Sequence, residues 1–275
     1  MSITLNMTSA ETENLIKRFE KAQIPTKNAY QKAIFKLDGC TITVYNSLKV
    51  VFQGSNELIY ANEFISSFDE MVCIGSDEVG TGDVFGPVVV SAFYYEPSIK
   101  MKLLKLGVKD SKNLTDEKIM IIAEELIKEN RHIKLICDND KFNEMTDKGF
   151  NMNKIKAYLH NHAYKKILSK YNKYDFIIQD QFTTPDSYFR YLENEETVKN
   201  ITFKVKGESI SLAVAAASII ARYYFLISFK ELEERYNVKL HKGAGSLVDE
   251  DIKKIDKNIL PHIAKVNFKN IKKTN

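Results

Sequence analysis

The sequence predicts an α/β protein with a small α+β domain at its N-terminal end. From Met71 onward, short apolar runs alternate with helical segments, which is typical of a mixed sheet with helices on its faces. The preceding residues, 1–68, show a separate pattern of two helical segments around short β-rich runs. The composition, with 44% hydrophobic and 28% charged residues, is ordinary for a globular protein. The length of 275 residues corresponds to about two domains. We therefore expect domains at 1–68 and 69–275.

The first domain is predicted from helical spacing and one turn signal. Leu15, Ile16 and Phe19 lie at helical spacing in residues 9–23. Asp38-Gly39 is a hairpin signal between two β-rich runs. The remaining segments are predicted as three strands at 33–37, 41–46 and 48–53 and a helix at 55–68.

The second domain is predicted to contain five strands and two prominent helices. The strands are the apolar runs at 71–76, 88–95, 134–138, 176–180 and 200–205. The helices are residues 153–170 and the long stretch 209–235, which is rich in small residues.

Composition excludes several classes of protein. The three cysteines, Cys40, Cys73 and Cys137, are far apart, which argues against a disulfide framework or a cysteine zinc site. The first thirty residues lack the apolar core of a signal peptide, and the longest uncharged run, 209–221, is too short to span a bilayer. We expect a soluble cytoplasmic protein with no membrane partner.

Basic residues are unevenly distributed, although the net charge is only +4. Seven lysines and no acid occur in residues 148–174, and seven lysines with one aspartate follow Asp251. Such runs are either solvated surfaces or a track for the phosphates of a nucleic acid, and the sequence leaves both open.

The most informative segment is residues 75–83, GSDEVGTGD. Asp77 and Glu78 follow an apolar strand, and side chains of a regular strand alternate between faces. The nearby glycines allow a bulge or tight turn that would bring both carboxylates into one cleft. The alternative is a polar hairpin loop. A dinucleotide-binding motif fits poorly, because Gly80 and Gly82 lead into another strand.

Three further carboxylates lie at the ends of predicted strands or helices, where α/β proteins form sites. Asp180 closes the strand at 176–180, and Asp138 closes another strand as its rival. Glu208 precedes the long helix, where it is either a functional residue or a partner of the helix dipole.

Clustered carboxylates point to metal chemistry. Two carboxylates about 4 Å apart repel by roughly 4 kcal/mol at an effective dielectric of 20, so a cluster of four needs cations. Oxygen ligands favour Mg²⁺ or Mn²⁺, and two such ions can hydrolyse a phosphodiester. The histidines do not suggest a nucleophilic triad; His160 and His162 are two apart on a predicted helix and share no face.

The sequence then resembles a known family, bacterial ribonuclease HIII, between Met71 and Asp249. The opening motif runs from Asp77 to Asp83 and is followed by Phe85-Gly86-Pro87. The other matching motifs are 108–114 (VKDSKNL), 151–153 (NMN) with Lys156-Ala157, 180–182 (DQF), 208–222 (ESISLAVAAASIIAR), 242–245 (KGAG) and Val248-Asp249.

This resemblance implies an RNase H-like fold with a mixed five-stranded sheet and endonucleolytic cleavage of the RNA strand of RNA–DNA hybrids. By motif position it makes Asp77, Glu78, Asp180 and Glu208 the ligands of Mg²⁺ or Mn²⁺, two ions per site. Asp138 matches no catalytic motif and becomes structural. The N-terminal domain would be a substrate-binding accessory domain resembling half of a TATA-binding protein.

Recognition of RNA requires contact with the 2′-hydroxyl. Gly80, Thr81 and Gly82 are the expected ribose-sensing turn, and Lys112 and Lys206 are candidate phosphate contacts or solvated lysines. Glu208 favours type HIII over the sister ribonuclease HII, which typically has aspartate there. Two alternatives stay open: incision at single ribonucleotides as in ribonuclease HII, and a hybrid-binding module without catalysis. The expected protein is a monomer whose partner is an RNA–DNA hybrid.

Overall fold

The computed structural model describes residues 2–7, 9–64, 67–108 and 114–272, which form two five-stranded sheets. The N-terminal sheet has the order β1-β5-β4-β3-β2, and every neighbouring pair is antiparallel. Its strands are β1 (Ser2–Asn6), β2 (Gln23–Ile24), β3 (Gln31–Leu37), β4 (Cys40–Tyr45) and β5 (Lys49–Gly54), and its helices are α1 (Ser9–Phe19) and α2 (Glu57–Asn62).

Alternation along the strands gives this sheet one buried and one more open face. Ile42 and Val44 of β4 pack inward with Leu15 of α1, whereas Thr41 and Thr43 point to the other face. The predicted hairpin turn at Asp38-Gly39 is confirmed, with Gly39 at φ +63°. The prediction of three strands was incomplete, because β1 and β2 are edge strands with weak sequence signals.

The second sheet is mixed, as the sequence predicts. Its order is β10-β9-β6-β7-β8; β10, β9 and β6 run parallel, and β7 is antiparallel to both of its neighbours. The strands are β6 (Cys73–Val79), β7 (Val88–Tyr95), β8 (His132–Cys137), β9 (Phe176–Asp180) and β10 (Ile201–Lys204). The helices are α3 (Lys100–Leu106), α4 (Asp116–Lys128), α5 (Asn139–Asp147), α6 (Met152–Leu168), α7 (Pro185–Tyr191), α8 (Gly207–Ile210), α9 (Leu212–Tyr236), α10 (Ser246–Lys254), α11 (Leu260–Ile263) and α12 (Lys269–Lys272).

Helices α9 and α6 cover opposite faces of this sheet around the central strand β6. A Cβ atom on Gly75 would lie 2.2 Å from backbone atoms of Ala213 and Val214, so glycine allows α9 to approach β6 closely. On the other face, Ile74 packs with Tyr164 of α6. Odd-numbered residues of β6 therefore face α9, and even-numbered residues face α6.

Helix α9 has the length and apolar composition of a membrane span. It is, however, packed against β6 and β7, and its first half is almost entirely buried within the protein. These contacts are those of a core helix.

The N-terminal sheet and the second sheet share a continuous hydrophobic core. Asp69, at the junction, accepts a hydrogen bond from the Leu212 N–H at 2.9 Å through its carboxylate and one from the Tyr95 hydroxyl at 2.7 Å through its carbonyl. The division at residues 68 and 69 stays a prediction, and the contacts indicate that the two parts are firmly attached.

Candidate active site

The two adjacent acids, Asp77 and Glu78, both lie inside β6. The strand pairs with β7 without interruption, Asp77 opposite Ser91 and Glu78 opposite Val90. Regular alternation sends Asp77 toward α9, where the Ser218 hydroxyl donates to its carboxylate, and Glu78 toward α6. The expected bulge or tight turn that would bring both into one cleft was therefore wrong. The hairpin of the alternative interpretation exists, but its loop begins after Val79, so the two acids lie in the strand and not in the loop.

Asp180 lies beside Asp77 at the same edge of the sheet. Strands β6 and β9 are parallel with Ser76 opposite Gln179, so Asp77, inside β6, and Asp180, the last residue of β9, are the next residues along the two strands. The Gly207 N–H donates to Asp180 Oδ1 at 2.7 Å, which fixes that carboxylate against the start of α8. The sequence argument for a strand-end carboxylate thus places Asp180 correctly.

Glu208 lies in α8, directly after the residue that contacts Asp180. Its side chain is buried and accepts a hydrogen bond from the Ser209 hydroxyl at 3.4 Å. The preceding Lys206 is exposed and has the left-handed conformation (φ +58°), which is strained for a residue with a side chain. The chain thus bends so that the backbone after β10 approaches the end of β9.

The surroundings of Asp77 and Glu78 shift the pKa values of the two carboxylates in opposite directions. Burial and the charges of Glu78 and Asp180 raise the pKa of Asp77 well above its ordinary value. Burial also disfavours ionised Glu78, but the hydrogen bond and charge of His160 and those of Lys156 outweigh it and lower the pKa of Glu78. Of these two adjacent acids, Asp77 is therefore the one that an added cation would stabilise more.

The donor set suits a hard divalent cation. A buried carboxylate such as Asp77, whose pKa is raised by burial and by its acidic neighbours, is stabilised by a bound cation, and carboxylate oxygens favour Mg²⁺ or Mn²⁺. Over the four described ranges, no three His, Cys, Asp or Glu side chains already surround one point as ligands do. The candidate ligands are therefore not preassembled: Asp77 and Asp180 are neighbours on adjacent strands, whereas Glu78 faces the other side of the sheet from Asp77.

Sequence reasoning missed the groups that hold Glu78. Lys156 Nζ lies 3.1 Å from Glu78 Oε1, and His160 Nε2 lies 2.9 Å from Glu78 Oε2. Their spacing of four residues on a helix was the available signal. The prediction that His160 and His162 share no face is confirmed, because His160 is buried and His162 is exposed.

The predicted ribose-sensing turn follows β6 and is shaped by one glycine. Gly80 has φ +90°, and an added Cβ would lie 2.1 Å from the Pro87 carbonyl oxygen. Thr81 is half-buried, whereas Gly82 is exposed, and a Cβ there would meet no atom within 4 Å. Gly80 is therefore required by the fold, and Gly82 leaves open space beside the carboxylates.

The far end of the chain holds this turn in place. Lys265 is fully buried, and its ammonium donates to the carbonyl oxygens of Asp83 at 2.9 Å and Gly86 at 2.5 Å. The Asp83 carboxylate accepts a hydrogen bond from the Gly243 N–H at 2.6 Å. Burial lowers the pKa of Lys265 to about 7. Nothing in the local sequence predicts this role for a lysine in the basic tail.

The remaining residues singled out from the sequence are two candidate phosphate contacts, Asp138 and the lysines of residues 148–174. Lys112 falls outside the described residues, and Lys206 is exposed next to Gly207. Asp138 caps α5 by accepting from the Lys141 N–H at 2.8 Å, so its structural role is confirmed. Three of the seven lysines in 148–174 are paired with glutamates: Lys148 with Glu144, Lys156 with Glu78, and Lys165 with Glu196. These pairs weaken the idea of a continuous phosphate track.

Comparison with known proteins agrees with this geometry. The family model described as Ribonuclease HII matches residues 74–271, and a domain of unknown function, DUF3378, matches residues 2–70. Ribonuclease HIII proteins of Bacillus mycoides (strain KBAB4) and Bacillus cereus (strain 03BB102) are each 40% identical to the chain, over 99% of it and 97% of the relative.

Solved structures agree as well. The crystal structure of Bst-RNase HIII in complex with Mn²⁺ has a TM-score of 0.74 and 34% identity, covering 99% of this chain and 97% of that one. RNase H3 of Aquifex aeolicus, at TM-score 0.60 and 21% identity over 96% of this chain and 99% of that one, shares the fold. The family expected from the sequence motifs is confirmed: the chain belongs to the ribonuclease HII family and, within it, groups with the ribonuclease HIII proteins.

Proposed function

We propose that the chain is an endonuclease that hydrolyses the RNA strand of RNA–DNA hybrids and leaves 5′-phosphate and 3′-hydroxyl ends. The observation that carries this proposal is the position of Asp77 and Asp180 side by side on the parallel strands β6 and β9, with Glu208 following the Gly207 that contacts Asp180 and the open Gly82 turn following β6. Carboxylates for a divalent ion and a turn that a ribose can approach are the two parts that such a reaction needs.

Asp77, Glu78, Asp180 and Glu208 are the residues that would hold Mg²⁺ or Mn²⁺. Two such ions, when bound, supply an activated water and stabilise the departing oxygen of the phosphodiester. The chain's own part is orientation: the Ser218 hydroxyl holds Asp77, and the Gly207 N–H holds Asp180. Lys206 and Lys112 are proposed phosphate contacts, Lys206 from its exposed position beside Asp180 and Lys112 from the sequence motif alone.

A panel of matched duplexes tests the substrate. RNA–DNA, DNA–DNA, RNA–RNA and single-ribonucleotide duplexes of one sequence are incubated with the protein, with and without Mg²⁺. We expect Mg²⁺-dependent cleavage within the RNA strand of the hybrid. Preferred incision at the single ribonucleotide would instead assign the activity of ribonuclease HII, and binding without cleavage in either Mg²⁺ or Mn²⁺ would assign a hybrid-binding module.

The Gly82→Ala substitution is expected to weaken cleavage of the hybrid without weakening the fold. The added methyl group meets no protein atom, but it occupies the open space that we assign to the ribose. We expect kcat/KM to fall about tenfold or more, since one misplaced contact in a site can have this effect, with an unchanged melting temperature. Unchanged kcat/KM would show that the ribose does not approach Gly82.

The N-terminal sheet is proposed to bind the substrate through its open face. Thr43 lies on that face, between neighbouring strands whose inward residues form the core. A Thr43→Glu substitution adds a negative charge there, and we expect weaker hybrid binding with unchanged single-turnover cleavage at saturation. Asn14→Glu, which adds the same charge on the exposed surface of α1, is the control. Equal affinity of the two variants would contradict this role.

We also propose that the protein acts as a cytoplasmic monomer. All the proposed ligands come from one chain, so no second copy is needed to complete the site. Light scattering at working concentration should give a mass near 31.6 kDa, and a mass of twice that value would contradict the monomer.

A further inference from the structure

Glu78 is contacted from α6 by two buried groups, one at each of its oxygens. Lys156 Nζ lies 3.1 Å from Oε1 and His160 Nε2 lies 2.9 Å from Oε2. The two residues are one helical turn apart, and they are 7% and 0% exposed. We call Lys156 and His160 the Glu78 clamp.

The clamp is itself fixed by a buried network of polar groups. His160 Nδ1 is hydrogen-bonded to Ser76 Oγ at 2.8 Å, and Ser76 Oγ contacts the Tyr164 hydroxyl. Tyr164 in turn donates to Gln179 Oε1 at 3.0 Å. Moving the imidazole away from Glu78 would break bonds inside the core, so the ring has a defined position.

Phe182 covers the clamp and connects it to the strand that carries Asp180. Lys156 Nζ lies 4.0 Å from the centre of the Phe182 ring, and the His160 ring stacks on the same side chain at 5.5 Å between centroids. An aromatic cover excludes water and strengthens the attraction between Lys156 and Glu78.

The contacts of Asp77 within the described part of the chain differ from those of Glu78 and include no lysine or histidine. Its hydrogen bonds come from the Ser218 hydroxyl and the Glu78 N–H, and the charges that act on it are those of Glu78 and Asp180. The protein thus neutralises one acid of the adjacent pair with its own lysine and leaves the other to an added cation.

We propose that Lys156 and His160 are positioning residues that hold Glu78 on the α6 side of the sheet, and that the Lys156 ammonium competes with a divalent ion for Glu78. The inference rests on the proposed function, because it takes Glu78 as a metal ligand. It follows that Lys156 lowers the affinity of the free enzyme for the ion, while it fixes the orientation of the Glu78 carboxylate.

Lys156→Met tests the competition, because methionine fills the same space without charge. Mn²⁺ alone is titrated into the full chain, and free Mn²⁺ is followed by its electron paramagnetic resonance signal. We expect the Kd for Mn²⁺ to fall about tenfold, since a positive charge next to a ligand is removed. At saturating Mn²⁺ we expect kcat for a hybrid to fall by about the same factor, because His160 then holds Glu78 at one oxygen only.

Three further variants separate positioning from general damage. Lys156→Arg retains the charge and should keep Mn²⁺ affinity and kcat near those of the unsubstituted protein. Lys154→Met, on the same helix but over the Phe150 ring, should leave Mn²⁺ affinity unchanged. In a Glu78→Gln background, Lys156→Met should no longer change Mn²⁺ affinity. The double variant also lacks the buried carboxylate charge that Lys156→Met alone leaves without its lysine partner.

Unchanged or weaker Mn²⁺ binding by Lys156→Met would overturn the inference, as would an equal gain in the Glu78→Gln background. The proposed function is judged separately with Asp77→Asn. If that variant loses Mn²⁺ binding and cleavage while Lys156→Met behaves like the unsubstituted protein, only the clamp is wrong. If Asp77→Asn retains both, the metal site is wrong and the clamp with it.

Discussion

Asp77→Asn is expected to abolish hybrid cleavage and, in the absence of divalent ions, to stabilise the folded protein. The carboxylate is buried beside Glu78 and Asp180, and asparagine keeps its size and a hydrogen-bond acceptor without the repelling charge. We expect the cleavage rate to fall by about 10³-fold or more, as for loss of a group that acts on the reacting phosphate. In EDTA the free energy of unfolding should rise by about 1 kcal/mol or more.

The pH dependence of stability follows from the same contacts. Burial, Glu78 and Asp180 raise the folded-state pKa of Asp77 above its unfolded value, so the folded protein binds the proton more tightly. That contribution is complete below the ordinary aspartate pKa and is lost as pH rises through the raised folded pKa. Urea unfolding in EDTA across this range should show the decline in the unsubstituted protein and less of it in Asp77→Asn.

A matched control is Asp147→Asn, an exposed aspartate at the end of α5. It removes the same charge far from the strand ends and should change neither cleavage nor stability. If Asp77→Asn were less stable than the unsubstituted protein in EDTA, the repulsion that we assign to Asp77 would not exist.

Lys265→Met is expected to produce the second large effect, on the turn at 80–87. Its ammonium satisfies two buried carbonyl oxygens, those of Asp83 and Gly86, and methionine leaves both short of a donor. Buried unsatisfied groups cost about 1–3 kcal/mol each, so the free energy of unfolding should fall by a few kcal/mol. Hybrid affinity should also fall, because the turn next to Asp77 and Glu78 loses its support.

The pKa of Lys265 gives this prediction a distinctive pH profile. Burial lowers it to about 7 from 10.5, so between these values the unfolded chain binds a proton that the folded protein does not. Keeping the ammonium charged in the core costs stability below about pH 7, and this cost disappears as pH rises toward 10.5. Stability should therefore rise with pH in this window by up to roughly 1.4 kcal/mol per unit. Lys265→Met should lack this rise, and an identical slope in both proteins would contradict the assignment.

The fold was largely predictable because its strands are short apolar runs with clear boundaries. Strand β9 was predicted with its observed bounds, Phe176–Asp180. The strands missed, β1 and β2, are edge strands, and β2 has only two residues. Their existence depends on pairing with β5 and β3, which local sequence does not show.

The candidate site was predictable in its residues but not in its arrangement. Asp180 and Glu208 were found because they stand at the ends of elements. The error at Asp77 and Glu78 arose because pairing with Ser91 and Val90 extends β6 through both acids, so the strand does not end where the apolar run ends. Lys156 and Lys265 contact the site from distant parts of the chain, and only the tertiary structure brings them there.

We propose that Asp77, Glu78, Asp180 and Glu208 together hold the ions at which the RNA strand is cleaved. Calorimetric titration of Mn²⁺ into Asp180→Asn, alongside the unsubstituted protein, tests this proposal most directly, because asparagine keeps the acceptor for the Gly207 N–H. We expect Mn²⁺ binding to be weakened at least tenfold and cleavage of the hybrid to be lost while the melting temperature in EDTA is maintained. Unchanged Mn²⁺ affinity with full cleavage would contradict it.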